Sequence, residues 1–176
     1  MSTSAGKPPV MRNATQATCA SRKRAIRWPT ITGVLQTRRD PGRIVMADTP
    51  ENLRFGEDHL WADPAGDPLV RVGITDYAQQ SLGDVIAVTP PEVGAAITAG
   101  EACGEIESTK SLSDLISPIT GTVELRNDEL VESPDLVNSD PYGKGWIFEA
   151  RVEPATLAEQ LALLMDAAAY RDSTGA

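Results

Sequence analysis

From residue 69 to residue 152 apolar and polar positions alternate in short runs, each closed by glycine or proline. Leu69–Ile74 (LVRVGI) and Asp84–Thr89 (DVIAVT) read as strands. Pro90-Pro91 ends the second, because proline has no amide to give to a ladder. Between the two, Thr75-Asp76 offers a cap for a short helix that runs through Leu82 and closes at Gly83. Val93-Gly94 and Ala99-Gly100 read as turns flanking short strands. Cys103–Glu107 and Ser111–Ser117 read as two strands around a short loop, and Pro118 and Gly121 bracket the next turn. Thr122–Arg126 and Gly145–Val152 supply two more strands. Short strands with regular Gly/Pro punctuation predict a small β-sandwich or barrel.

The period changes after Pro154. Thr156-x-x-Glu159 fits a capping box. Leu157, Leu161, Leu164, Met165 and Ala168 then recur at helical spacing, which predicts one amphipathic helix packed on the domain.

Charge divides the chain in two. Residues 1–45 hold nine basic residues and one acid, for a net +8; the remainder holds seven basic and 24 acidic residues, for −17. The overall −9 hides that contrast. The basic head is rich in Ser, Thr and Arg and too poor in apolar periodicity to offset the entropy of ordering it. It is expected to be an appendage, with Met46 beginning a self-contained domain over 46–176. Three readings of it stand open. It is a disordered tail or an extension read from an early start codon, an organelle transit peptide, or a nucleic-acid arm with Trp28 as its one aromatic. The acidic body itself repels nucleic acid and anionic membranes. No run approaches the roughly 18 apolar residues of a membrane span. Cys19 and Cys103 form no Cys-x-x-Cys pair, and His59 is the single histidine, so no metal site is expected.

The stretch Gly104–Gly121 carries the chemistry. Apolar Ile106, Leu112, Leu115 and Ile116 flank a polar centre in which Ser108, Thr109, Ser111 and Ser113 suit a tight turn. Lys110 is at its apex, and Lys144 is the only other lysine after residue 45. A lysine held out on a rigid hairpin can be acylated, which removes its charge and extends a flexible stem. The extended arm can then visit several sites at high effective concentration. Read alone, Lys110 is an ordinary solvated turn lysine. Pairing it with Ser108 or Ser111 as base and nucleophile would need burial that a turn apex lacks. Gly143-Lys144-Gly145 is no phosphate loop, since neither Ser nor Thr follows the lysine.

Glu107-Ser108-Thr109-Lys110, with Ser113-Asp114-Leu115 and Ser117-Pro118-Ile119-Thr120-Gly121, resembles the lipoylation site of glycine cleavage H proteins. Further segments resemble the same family in order and spacing. They are Val72–Gln79, Leu82-Gly83-Asp84, Pro91–Gly94, Ser133–Asn138, Pro141-Tyr142-Gly143 and Gly145-Trp146. The likeness runs from about Pro50 to Tyr170.

That resemblance implies a mainly β, barrel-sandwich hybrid fold of the lipoyl/biotinyl type, with short added helices and the C-terminal amphipathic helix. It implies one covalent lipoate on Lys110 and a carrier rather than a catalyst. The implied partners are the P protein (glycine decarboxylase), the T protein (aminomethyltransferase), the L protein (dihydrolipoyl dehydrogenase) and a lipoate ligase or octanoyl/lipoyl transferase. Glu107, Ser108, Thr109 and Asp114 are the expected recognition residues around the arm. A monomer is expected, cytoplasmic, or mitochondrial if the head is a transit peptide. An H-like reservoir that donates lipoate to 2-oxoacid dehydrogenase complexes is the alternative. A biotin carrier would set methionines beside the lysine, where Thr109 and Ser111 stand here. Cys103, on an expected core strand, reads as a packed thiol. One departure is visible: His59-Leu60-Trp61 stands where the family usually has His-Glu-Trp. The family's carboxylate helps hold the loaded arm in a surface cleft. Leucine cannot accept those hydrogen bonds, and Asp58 and Asp63 are carboxylates close by in sequence.

Overall fold

Proline, bulges and one left-handed residue decide where this chain departs from simple alternation. The structure is a computed structural model, and it describes residues 49–66 and 68–175. The basic head over 1–45 and the boundary at Met46 lie outside those residues.

Strand β3 (Leu69–Ile74) has its expected bounds and buries Val70, Val72 and Ile74 on one face. Ahead of it lie two strands the pattern did not reveal, β1 (Arg54–Phe55) and β2 (Leu60–Gly66). The β2 segment LWADPAG contains a proline, and its register against β3 shifts between Asp63 and Gly66. A bulged strand of this kind shows no clean period of two. Immediately before it His59 takes φ 60°, a left-handed backbone unusual for a residue with a side chain.

The strands β5 (Ala96–Ile97), β8 (Gly121–Arg126) and β9 (Trp146–Arg151) complete a six-stranded sheet in the order β1-β2-β3-β9-β8-β5. A second sheet has β4 (Val85–Thr89), β6 (Ala102–Ser108) and β7 (Leu112–Ile116) in the order β4-β6-β7. Every pairing in both sheets is antiparallel. The mainly β class and the short punctuated strands are therefore as expected.

Helix α1 (Asp76–Leu82) also has its expected ends. The Thr75 hydroxyl accepts from the Ala78 amide at 3.2 Å, and Gly83 closes the helix with φ 78°. Two one-turn helices, α2 (Glu129–Glu132) and α3 (Leu136–Ser139), follow β8 and bury Leu130 and Val137.

The expected single C-terminal helix is two: α4 (Pro154–Ala162) and α5 (Ala167–Thr174). Thr156 is not a cap. It lies inside α4, where its hydroxyl donates to the Glu153 carbonyl at 3.1 Å, and Pro154 opens the helix. Asp166 starts α5 by accepting from the Ala169 amide at 2.8 Å. A short aspartate that captures a free amide favours a new helix start over continuation. The break changes which residues face inward: Ala167 and Tyr170 are buried, and Ala168 is exposed. Backbone bonds from Phe55 to Met165 and back, each 2.9 Å, fix the break against β1.

Around that junction Leu53, Phe55, Trp61, Ala167 and Tyr170 form a buried cluster, with Tyr142, Trp146 and Met165 packed against it. Phe55 and Tyr170 stack at 4.6 Å between ring centroids. The Trp61 indole donates to the Pro141 carbonyl at 3.0 Å, so its one polar atom is satisfied. The indole also lies so close to Gly73 that a Cβ there would meet it at 2.5 Å.

Candidate functional site

Strands β6 and β7 pair from Ala102↔Ile116 to Glu107↔Leu112. The pairing closes on a two-residue loop, Thr109-Lys110, where the Ser108 amide donates to the Ser111 carbonyl at 2.8 Å. Two-residue hairpin loops usually need positive φ. Among the described non-glycine residues only His59 has it, so this loop turns by other means. Ser108 supplies them. Its hydroxyl accepts from the Lys110 amide at 3.2 Å and the Ser111 amide at 3.1 Å, and lies 3.1 Å from the Ser111 carbonyl, to which it donates. Ser108 is only 5% exposed, so these bonds are largely shielded from water.

The loop also rests on a second element. The Thr109 amide donates to the Asp84 carbonyl at 3.0 Å, in the turn between α1 and β4. Over the same turn lies the Lys110 stem: a Cβ at Gly83 would be 2.9 Å from Lys110 Nζ and 3.1 Å from Cε. Glycine is thus required at position 83 by the positive φ, while the close approach is to the flexible end of Lys110, which a side chain there would displace. Lys110 is exposed, and its amine is in no ion pair among the described residues.

Register places the expected recognition residues. Ala87, Glu107 and Leu112 form one row across β4, β6 and β7, and Thr89, Glu105 and Asp114 the next. All six are exposed, as is Thr109, with Leu112 at 57%. The outward face of the hairpin is therefore acidic along its central strand β6, with apolar Ala87 and Leu112 on either side of Glu107. Ser108 differs from its companions: it shapes the loop from inside rather than facing outward.

Sequence reasoning missed the support beneath the loop. Asn138, on α3, donates to the Gly83 carbonyl and to Gln79 Oε1, both at 3.0 Å, and accepts from the Val85 amide at 3.0 Å. The segment Ser133–Asn138 stood out by resemblance, but nothing in it signals bonds to residues 53 to 59 positions away.

Cys103 is half-buried, and its Sγ donates to the Leu115 carbonyl at 3.3 Å. Burial pushes its pKa up to about 12, which keeps it a thiol. His59 Nδ1 lies 2.8 Å from the Tyr170 hydroxyl, which lies 2.8 Å from Thr75 Oγ1. The His59 ring also contacts Tyr77 at 4.6 Å between centroids. Burial lowers the His59 pKa and raises that of Tyr170.

Leu60 is 3% exposed and pairs with Ile74. Neither nearby aspartate stands beside it in the ladder. Asp63 lies opposite Arg71. Asp58 lines a hollow of about 460 Å³ with Gly100, Ser117 and Pro118, at the base of the β6–β7 hairpin. There desolvation, then the charge of Glu57, raises its pKa. Among the described residues no His, Cys, Asp or Glu cluster could hold a metal, and no helix is long and apolar enough to cross a membrane.

Comparison with known proteins places this geometry. The family described as glycine cleavage H-protein matches residues 53–175. The glycine cleavage system H protein of Mycobacterium avium is 54% identical over 127 residues, covering 72% of this chain and 96% of the relative. That of Mycolicibacterium smegmatis is 53% identical over 126 residues, with the same coverage. The crystal structure of the H protein from Mycobacterium marinum matches with a TM-score of 0.62 at 38% identity, covering 72% of this chain and 99% of that one. The two antiparallel sheets are thus the barrel-sandwich hybrid of lipoyl and biotinyl carriers. Together the hairpin, the sheet order and these matches show that the chain belongs to the glycine cleavage H-protein family, whose members are non-catalytic carrier components of the glycine cleavage system.

Proposed function

We propose that residues 46–176 form a lipoyl-carrier domain and that Lys110 bears its single lipoate, in amide linkage. One observation carries this: an exposed amine, in no ion pair among the described residues, at the apex of a hairpin whose loop is held from within by Ser108. The geometry suits such a group, because the amine is reachable while its backbone is fixed. When bound, lipoate supplies a disulfide–dithiol couple; the chain's own half-buried Cys103 does not stand in for it.

Around the arm this chain's residues present and identify the lysine. Ser108 and the Gly83–Asp84 turn hold the loop, while Glu107, Thr109 and Asp114 offer an outward face to a lipoate ligase or octanoyl/lipoyl transferase. The P, T and L proteins are the proposed partners. The first loads the aminomethyl group of glycine, the second removes it, and the third reoxidises the dithiol. The relatives compared above are bacterial, which supports a cytoplasmic place over an organellar one. A monomer is proposed.

The test is intact mass after incubation with lipoate, ATP and a lipoate ligase. The protein gains one lipoyl adduct, Lys144→Arg keeps it and Lys110→Arg loses it. An adduct that persists in Lys110→Arg, or none on the parent, overturns the assignment.

A second reading, an H-like reservoir handing lipoate to other complexes, draws on Leu60, which is apolar and buried where the resemblance expects a carboxylate. Glycine–bicarbonate exchange with lipoylated protein and P protein separates the two. Exchange supports the glycine cleavage role, and its absence supports the reservoir.

A further inference from the structure

Of the two elements that hold the Lys110 loop, one is internal to the hairpin and the other is the turn between α1 and β4. That turn has little to keep it in place by itself. Between the end of α1 and the start of β4 it has only two residues, a left-handed Gly83 and the exposed Asp84. Asn138 ties both ends of it. Its Nδ2 donates to the Gly83 carbonyl and its Oδ1 accepts the Val85 amide, each at 3.0 Å. The remaining Nδ2 hydrogen goes to Gln79 Oε1 in α1, also at 3.0 Å. The Val85 amide can only donate, so the oxygen of Asn138 must face it and the orientation of the side chain is settled. Val137, fully buried next to it, anchors α3 in the core.

The tied turn then meets the loop twice, through Asp84 O to the Thr109 amide and through Gly83 against the Lys110 stem. We infer that Asn138 is a positioning residue for Lys110: it fixes the Gly83–Val85 turn as a shelf that sets where the amine is presented for acylation. The inference rests on the reading of Lys110 as the acylated residue. Asn138 touches neither the amine nor an acyl donor. It acts through the shelf.

A matched control exists in the same fold. Asn127 has the same bonding, with Nδ2 donating to the carbonyls of Lys144 at 2.8 Å and Trp146 at 2.7 Å and Oδ1 accepting from the Glu129 amide at 3.2 Å. It ties the β8–α2 corner to β9 and, among the described residues, makes no hydrogen bond to the hairpin. Asn→Asp at either position keeps the shape, removes both donors and sets a carboxylate against two acceptors. Both variants lose bonds of the same kind, so a fall in rate confined to Asn138→Asp is not a general effect of lost stability.

The experiment measures lipoylation kinetics of parent, Asn138→Asp and Asn127→Asp with a lipoate ligase, ATP and lipoate, well below every melting temperature. Displacing a reacting group by about an ångström costs up to a hundredfold in rate, so Asn138→Asp is expected to lower kcat about tenfold with KM within about twofold. Asn127→Asp is expected to leave both within about twofold of the parent. An unchanged kcat in Asn138→Asp, or an equal fall in Asn127→Asp, overturns the inference. Should Asn138→Asp not fold, Gly83→Ala reaches the same shelf, because φ 78° at that position strains any residue with a Cβ. A parent-like kcat there also overturns it. A parent that takes up no lipoate overturns the reading of Lys110 instead, whatever Asn138 does.

Discussion

Around Tyr170, rigidity comes from buried aromatic area; around Lys110, it comes from five hydrogen bonds on an exposed loop. Phe55, Trp61 and Tyr170 are at most 1% exposed, and burying side chains of that size contributes about 1.5–3 kcal/mol each. Individual hydrogen bonds contribute about 1 kcal/mol net. The aromatic end can therefore carry the stability of the fold. The hairpin cannot, and it does not need to. It needs only to aim one side chain, and directional bonds do that better than apolar packing.

If stability and presentation are divided this way, substitutions should separate them. Trp61→Ala removes a fully buried side chain and its bond to Pro141, and should cost about 3–5 kcal/mol in a urea titration. The fraction still folded should accept lipoate at the parent rate. A matching loss of rate would mean that the two ends are one mechanical unit. Next in size, Ser108→Ala leaves the Lys110 and Ser111 amides without their acceptor and should cost about 1 kcal/mol. Here the lipoylation rate should fall by more than the stability loss explains; a parent-like rate would show that the loop turns without the hydroxyl.

The smallest effect concerns His59, beside Tyr170 at the aromatic end. Burial holds its pKa below the usual 6.5. The unfolded chain therefore takes up a proton at a pH where the folded chain still does not. Stability from this source is complete above pH 6.5 and declines as the pH falls toward the folded pKa. His59→Asn keeps a residue that tolerates φ 60° and removes the titration. Its melting temperature should fall less steeply than the parent's between pH 7 and pH 5, by the ordinary imidazole range. Parallel profiles would place the proton elsewhere.

Much of this was legible along the chain because it is local. Thr75 and Gly83 mark both ends of α1, and Pro90 stops β4 within one residue. Lys110 stood out because the acidic body has only two lysines. What could not be read depended on contacts across the fold. The β2 strand is bulged and paired only through β1 and β3, so its own residues show no period. The C-terminal helix looked continuous because Leu161, Leu164 and Met165 keep helical spacing through the break. The break itself is set by Asp166 and by the bridge from Met165 to Phe55, 110 residues away. Asn138 is the same case in miniature: its residue type is ordinary, and its partners are more than 50 residues distant.

Cys103 has one more consequence. Exchange with a cyclic disulfide begins with attack by a thiolate, and the rate follows the fraction of sulfur in that form. With its pKa near 12, Cys103 supplies almost none at neutral pH. With the lipoyl arm proposed for Lys110, this thiol would not tie the protein to its own five-membered disulfide ring, or to a neighbour's, through a mixed disulfide.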